Sequence, residues 1–186
     1  MADGVETESK HRVRDAAAVI DALERLGFHA AGVRVQDDEY FDTPTNLLRA
    51  GDMVVRLRRV GGTVTACFKG PRTYLPDGSY SRIEIEMPAG GLAEVRAALS
   101  AQSMRCVWRL QKRRREFRHP EQAILVCLDE VPQLGQFVEL EGEPPDIARL
   151  TAALGSAIEP PERLNYRELA ARHLRMRGNT LRFAGG

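Results

Sequence analysis

Charged and apolar residues alternate along several short segments of the chain, in the pattern of β-strands that have two different faces. In residues 54–58, Arg56 and Arg58 share one face, while Val55 and Leu57 share the other. The same two-residue spacing joins charged residues in further segments: Glu6, Glu8 and Lys10; Arg82, Glu84 and Glu86; Lys112 and Arg114; Glu139 and Glu141. The chain therefore repeats a charged strand face at least five times.

The alternation and the turn residues between segments predict eight strands. They lie near residues 4–13, 35–42, 52–60, 63–69, 79–87, 104–118, 122–131 and 135–142. Gly61-Gly62 is typical of a two-residue hairpin turn. Because the connections between neighbouring strands are short, we expect antiparallel pairing.

Helical periodicity predicts four helices, near residues 16–26, 92–99, 144–154 and 166–176. The proline-rich segment 155–163 is interpreted as a loop, and the connection 72–79 as a loop over one mouth of a barrel. The tail after Gly178 has no periodic pattern.

Composition limits the class of protein. The 186-residue chain suits a single domain and has a net charge of +1, which argues against a general nucleic-acid binder. Cys67, Cys106 and Cys127 are odd in number and widely spaced, so neither a zinc site nor a disulfide framework is predicted. The chain shows no signal peptide and no apolar run near 18 residues, so we expect a cytoplasmic protein that is not associated with a membrane.

The position of the helices decides where the charged faces point. Eight antiparallel strands of this character suit a closed barrel or a two-sheet sandwich. If the helices pack on the apolar strand faces from outside, the charged faces turn inward. The inward set would then hold seven acids and seven bases: Glu6, Glu8, Glu84, Glu86, Asp129, Glu139 and Glu141, with Lys10, Arg56, Arg58, Lys69, Arg82, Lys112 and Arg114. Buried charges require partners of opposite sign or a bound ligand.

The alternative is an ordinary sheet whose charged face lies in water. Against that alternative, the repeated face is rich in arginine and glutamate rather than in mixed polar residues. Arginine binds phosphate bidentately, and clustered carboxylates bind hard cations.

Several motifs in sequence order resemble the CYTH superfamily, the triphosphate tunnel metalloenzymes. Residues 6–10 match its opening E-x-E-x-K signature, and residues 40–44 match its second-strand region. The matches continue in family order through Arg56-Leu57-Arg58, Phe68-Lys69-Gly70-Pro71, residues 82–86, Lys112-Arg113-Arg114, residues 128–131 and residues 134–142. Together with Tyr166-Arg167-Glu168-Leu169, these motifs look most like the class IV adenylyl cyclase branch.

This resemblance implies an α+β fold, an eight-stranded antiparallel closed barrel that forms a tunnel, with helices packed outside. It implies one CYTH-like domain over residues 1–178 and a C-terminal tail over 179–186. The implied activity is a Mg²⁺- or Mn²⁺-dependent conversion of ATP to cyclic AMP and pyrophosphate. An inorganic, nucleoside or thiamine triphosphate hydrolase and a non-enzymatic polyphosphate or nucleotide binding module stay open as alternatives.

The resemblance also implies roles for the inward residues. Glu6, Glu8 and Lys10 are the candidate catalytic residues. The triphosphate would be bound by the seven basic side chains: Lys10, Arg56, Arg58, Lys69, Arg82, Lys112 and Arg114. The metal would be bound by members of a carboxylate set: Glu6, Glu8, Asp129, Glu139 and Glu141. Glu84 and Glu86 would orient the arginines. The expected partner is a small molecule such as ATP or inorganic triphosphate, and a homodimer is one assembly open to the chain.

Overall fold

Eight antiparallel strands close into a barrel in the computed structural model, which describes residues 4–175 and 178–184. The barrel strands are β1 Val5–Val13, β3 Arg34–Asp42, β4 Val54–Val60, β5 Thr63–Lys69, β7 Tyr80–Ala89, β8 Arg105–Arg118, β9 Leu125–Val131 and β10 Gly135–Glu141. Their order is β1-β10-β9-β8-β3-β4-β5-β7, and β7 pairs back with β1 from Val5 opposite Ile83 to Glu8 opposite Tyr80. The predicted closed barrel is therefore confirmed.

Short strands and helices complete the described part of the chain. The short strands are β2 His29–Ala30, β6 Thr73–Tyr74, β11 Ile158–Pro161 and β12 Thr180–Leu181. The helices are α1 Ala16–Arg25, α2 Leu47–Ala50, α3 Leu92–Ala101, α4 Pro144–Leu154 and α5 Tyr166–His173, with one 3₁₀ turn at Gly155–Ala157. No helix within these described ranges has both the length and the apolar character needed to span a membrane.

Three segments differ from their predicted structure, and the first is the connection 72–79, which contains the short strand β6 paired with β7. The interpretation of residues 155–163 as a loop is wrong, because they contain the 3₁₀ turn and strand β11, which pairs with β1. A proline is tolerated at the edge of a sheet, so the proline-rich composition concealed this strand. The predicted tail contains β12, which pairs with β8 and buries Leu181. The predicted end of the last helix, near Met176, lies outside the described residues.

The helices decide which strand face is buried outside the barrel. Helices α1 and α4 pack on the outward side chains of β9 and β10, where Val138 and Leu140 are fully buried. The alternate residues of the same strands, such as Glu139, must then point inward.

Helix α5 is an exception to the predicted outside packing. Its Tyr166 and Leu169 form one cluster with Trp108, Leu110 and Phe137. Phe137 lies two residues before Glu139, on the inward face of β10, so α5 packs on interior side chains at one end of the barrel.

One strip of the outer barrel surface, on β1, β5 and β7, is exposed and apolar. It is formed by Val5, Phe68, Ile83, Ile85 and Met87, and Ile83 is 52% exposed. Facing pairs such as Phe68 opposite Ile85 make the strip continuous across the strands. The homodimer that the sequence analysis left open is not tested by this surface.

A buried histidine beside the barrel should make stability depend on pH. His11 is fully buried, its Nδ1 lies 2.8 Å from the carbonyl oxygen of Glu159, and its Nε2 lies 2.8 Å from Oγ of Ser9. Nδ1–H can therefore donate to the carbonyl while Nε2 accepts from the hydroxyl, an arrangement that needs the neutral ring. Burial lowers the pKa of His11 below its usual value. The unfolded chain then takes up the proton first, so His11 should reduce stability as pH falls below about 6.5.

Thermal melts between pH 5 and 7.5 test this expectation. His11→Gln should lose part of the acid-side decline in melting temperature, whereas His29→Gln, at an exposed position, should keep it. Because other titrating groups are common to all three proteins, the difference between them isolates His11. Equal pH profiles for wild type and His11→Gln would contradict the expectation.

Candidate active site: a charged tunnel

A cavity of about 580 Å³ runs inside the barrel, and charged side chains from β1, β4, β5, β7, β8 and β10 line it. The lining includes all seven basic residues singled out from the sequence: Lys10, Arg56, Arg58, Lys69, Arg82, Lys112 and Arg114. It includes six of the seven acids: Glu6, Glu8, Glu84, Glu86, Glu139 and Glu141. Asp129 does not reach the cavity surface and is 0% exposed. The structure therefore brings the predicted residues into one tunnel, with Asp129 behind its wall.

Asp129 is the centre of an ion-pair network in the wall. It accepts hydrogen bonds from Nε and Nη2 of Arg114 at 2.7 Å each and from Nζ of Lys112 at 2.6 Å. The hydroxyl of Tyr166 donates to Asp129 at 3.1 Å and to Glu139 at 2.9 Å, and Arg114 also contacts Glu139. Burial alone would raise the pKa of Asp129, but Arg114 and Lys112 outweigh it and hold the pKa below its usual value. Asp129 and Glu139 are thus already neutralised by protein cations.

A second carboxylate group lies along β1 and β10 and has fewer cations. Glu8 is opposite Glu141 in the strand register, and the hydroxyl of Tyr80 donates to Glu8. Burial and the neighbouring carboxylate of Glu84 raise the pKa of Glu6 to about 8. Burial and other carboxylates likewise raise the pKa of Glu141 to about 7. Burial is the main cause of both raised values and neighbouring carboxylates add to it, so a cation bound nearby would lower both pKa values.

The arginines of β4 are held by acids from β3 and β7. Arg58 donates to both carboxylate oxygens of Asp38, at 2.7 and 2.8 Å, and Asp38 is 2% exposed. Nη2 of Arg56 lies 2.7 Å from Glu86 and 3.6 Å from Glu84. Its Nε, in contrast, is buried without a hydrogen-bond partner among the residues that the structure describes. Arg56 therefore keeps one donor free inside the barrel.

Two further basic residues are held by backbone carbonyls. Nζ of Lys10 donates to the carbonyl oxygen of Leu164 at 2.5 Å and lies 4.7 Å from the centre of the Tyr166 ring. Nε of Arg82 donates to the carbonyl oxygen of Gly70 at 2.8 Å. Carbonyl partners fix these cations without cancelling their charge, so both stay available to an anion in the tunnel.

Glu84 contacts the last of the predicted basic residues, Lys69, and a buried cysteine. Its carboxylate oxygen lies 3.1 Å from Sγ of Cys67. Among the described residues, Cys67, Glu84 and Glu86 are the set whose ligand atoms fall within 4.8 Å of one another. Because Lys69 and Arg56 already neutralise this set, a metal ion is less favoured there than beside Glu6 and Glu8.

Sequence reasoning missed three side chains that organise the site. Asp38 could have been found, because it continues an inward alternation on β3. Tyr80 begins β7 two residues before Arg82 and shares its inward face. Tyr166 belongs to a motif used for the family resemblance, but its contacts were not predicted, because it reaches Asp129 and Glu139 from a helix at the end of the barrel.

The fold and the site define a closed barrel whose interior cavity is lined by acidic and basic side chains. The CYTH domain family matches residues 4–179, nearly the whole chain, and the chain belongs to this family.

Three relatives illustrate the similarity. A Methanocaldococcus jannaschii protein named "Putative adenylate cyclase MJ0240" is 28% identical over 161 residues, covering 87% of this chain and 90% of its own length. A solved structure named as a putative adenylate cyclase from Vibrio parahaemolyticus has a TM-score of 0.73 at 19% identity, covering 89% of this chain and 97% of that one. HpAC1 from Hippeastrum, named as a putative adenylyl cyclase with a dominant triphosphatase activity, has a TM-score of 0.69 at 18% identity, covering 92% and 97%. The two structures establish similarity of fold.

Proposed function

We propose that the protein is a metal-dependent enzyme that binds a triphosphate in the tunnel and converts ATP to cyclic AMP and pyrophosphate. The observation that carries this proposal is the gathering of seven basic side chains in one cavity: Lys10, Arg56, Arg58, Lys69, Arg82, Lys112 and Arg114. A triphosphate carries about four negative charges, and phosphoryl chemistry demands chiefly positioning and charge stabilisation. The lining residues supply both.

The residues beside Glu8 suit a Mg²⁺ or Mn²⁺ ion by the chemistry of their donors. Glu6, Glu8 and Glu141 line the cavity and provide hard oxygen ligands, which both ions prefer. Their carboxylate oxygens do not form a group within 4.8 Å among the described residues, so these side chains would have to close around the ion. Asp129 and Glu139 are engaged by Arg114, so we assign them the orientation of that arginine rather than direct metal contact. When bound, the ion would neutralise charge that develops on the phosphate oxygens.

The side chains of the tunnel divide the remaining work. Arg56, Arg58, Lys112 and Arg114 hold phosphate oxygens, while Lys10 adds positive charge near α5. In the cyclisation, the ribose 3′-hydroxyl oxygen forms a bond to the α-phosphorus and loses its proton. The bond from the α-phosphorus to the oxygen bridging to the β-phosphate breaks, and pyrophosphate leaves with that electron pair. The fixed cations stabilise the leaving pyrophosphate.

Hydrolysis of the terminal phosphate is the second candidate. The similarity in fold to HpAC1, whose name describes a dominant triphosphatase activity, favours keeping it. The same basic side chains would serve, with water forming a bond to the γ-phosphorus. The bond from the γ-phosphorus to the oxygen bridging to the β-phosphate breaks, and the diphosphate leaves with that electron pair. A pure binding module is less favoured, because the uncompensated carboxylates beside Glu8 would weaken anion binding without contributing to it.

The choice of substrate analogue distinguishes these reactions. The protein is incubated with ATP, 3′-deoxy-ATP or inorganic triphosphate, with Mg²⁺ or Mn²⁺, and the products are separated by chromatography. If the protein is a cyclase, ATP yields cyclic AMP and pyrophosphate, and 3′-deoxy-ATP yields neither because it lacks the attacking 3′-hydroxyl. Release of phosphate from all three compounds would establish the hydrolase instead. No metal-dependent product from any of them would contradict the enzymatic proposal.

A further inference from the structure

Gln36 is an uncharged exception on the charged wall of the tunnel. It lies on the inward face of β3, lines the cavity and is 6% exposed. Its Oε1 is buried and has no hydrogen-bond partner within residues 4–175 and 178–184. A buried polar atom without a partner lowers stability, so such an atom inside a cavity indicates a missing ligand group.

The free atom of Gln36 is an acceptor, and this restricts the group that can satisfy it. Phosphate oxygens of an ionised triphosphate are themselves acceptors, so the triphosphate cannot pair with Oε1. The nearest basic side chains, Lys112 and Arg58, donate to Asp129 and Asp38 and make no hydrogen bond to Oε1. The group that satisfies Oε1, whether water or substrate, must carry an O–H or N–H, which ionised inorganic triphosphate lacks.

The position of Gln36 indicates which part of a substrate would carry the donor group. Its Cα is paired with that of Lys112 on β8, in the middle of the basic lining. Tyr40, four residues further along β3, packs on Trp108 beside α5. Gln36 therefore lies about 13 Å along the strand from that end of the barrel. A group at Gln36 is thus a direct neighbour of the phosphates. In a nucleoside triphosphate the nearest donors to the phosphates are the sugar hydroxyls.

We propose that Gln36 accepts a hydrogen bond from a ribose hydroxyl of a nucleoside triphosphate and so selects that substrate over inorganic triphosphate. This inference rests on the proposed function, because it assumes the triphosphate in the tunnel. It adds a specificity-determining residue to the seven basic side chains. Gln36 acts on the organic part of the substrate, and the cations act on the phosphates.

Gln36→Met is the informative substitution, because it keeps an unbranched side chain and removes the amide. Calorimetry with the metal chelated measures binding of three ligands: ATP, 2′,3′-dideoxy-ATP and inorganic triphosphate. We expect about tenfold weaker binding of ATP, the size of one lost hydrogen bond, and unchanged binding of the other two. The melting temperature of the free variant should be equal to or higher than that of wild type, since an unpaired buried amide is removed. Gln111→Met, whose amide donates to Asp37 at 3.1 Å and does not line the cavity, is the matched control.

Each other result overturns the inference in a recognisable way. Equal weakening of all three ligands would mean that the amide contacts phosphate. Weakening of both ATP and dideoxy-ATP would mean that it contacts the base. No change with any ligand would mean that water alone satisfies Gln36. Wild type that binds inorganic triphosphate but not ATP would refute the inference and leave the tunnel site intact, whereas wild type that binds no ligand would refute both.

Discussion

Glu8→Gln should reduce metal-dependent turnover by more than about a hundredfold while the barrel still folds. Groups that merely orient metal ligands cost roughly 10- to 100-fold when they are lost, so loss of a ligand should cost more. Glutamine keeps the shape of Glu8 and can still accept from Tyr80, but it removes a negative charge and a hard anionic ligand. Binding of triphosphate without metal should persist, because the basic lining is unchanged.

Turnover measured against Mn²⁺ concentration, beside a thermal melt, checks this expectation. The variant should need more Mn²⁺ than wild type and recover part of its activity as Mn²⁺ rises. Glu130→Gln is the matched control, because Glu130 is half-exposed and pairs with the exposed Arg113. A Glu8→Gln variant that melts early yet keeps the wild-type metal curve would instead make Glu8 a structural partner.

Arg114→Met should lower the free energy of unfolding by about 3–5 kcal/mol, the usual effect of removing one member of a buried ion pair. Arg114 contacts Asp129, Glu139 and Glu141, and its loss leaves the fully buried Asp129 with Lys112 and Tyr166. The same substitution should weaken triphosphate binding, because one cation of the lining is removed.

The free energies of unfolding of Arg114→Met and Arg113→Met, measured in urea, test the expected loss of stability. Arg113 is adjacent to Arg114 in sequence but points to the outside of the barrel. It is exposed and pairs with the half-exposed Glu130 at 3.2 Å. An exposed pair contributes about 0–1 kcal/mol, so Arg113→Met should be nearly neutral. Similar losses for the two arginines would contradict the inward orientation of Arg114.

The strand faces and the barrel could be predicted from the sequence because a period of two is a local property. Residues 54–58 show which side chains share a face without reference to any other strand. The ordered motifs then identified the family and the barrel. The positions of helices α1 and α4 could also be predicted locally, because the helical spacing of their apolar residues is visible in the sequence.

Partner choice inside the barrel could not be predicted in the same way. Arg58 binds Asp38, twenty residues away, and this pairing depends on the register between β3 and β4. The pairing also has a consequence for stability, because loss of Arg58 would leave a buried carboxylate unpaired. Tyr166 is a comparable case, because a helix packed on interior residues brings it to Asp129.

Calorimetric titration of inorganic triphosphate into the metal-free protein tests the central claim, a triphosphate site in the tunnel, most directly. Arg56 is the informative position, because its Nε has no partner in the described part of the chain and its side chain lines the cavity. The account predicts one saturable site per chain in wild type and roughly 10- to 150-fold weaker binding in Arg56→Ala, the loss of one charge-assisted contact. Arg59→Ala, at an exposed position paired with Asp37, should bind like wild type. Absence of saturable binding to wild type, or equal affinity in wild type and Arg56→Ala, would contradict the account.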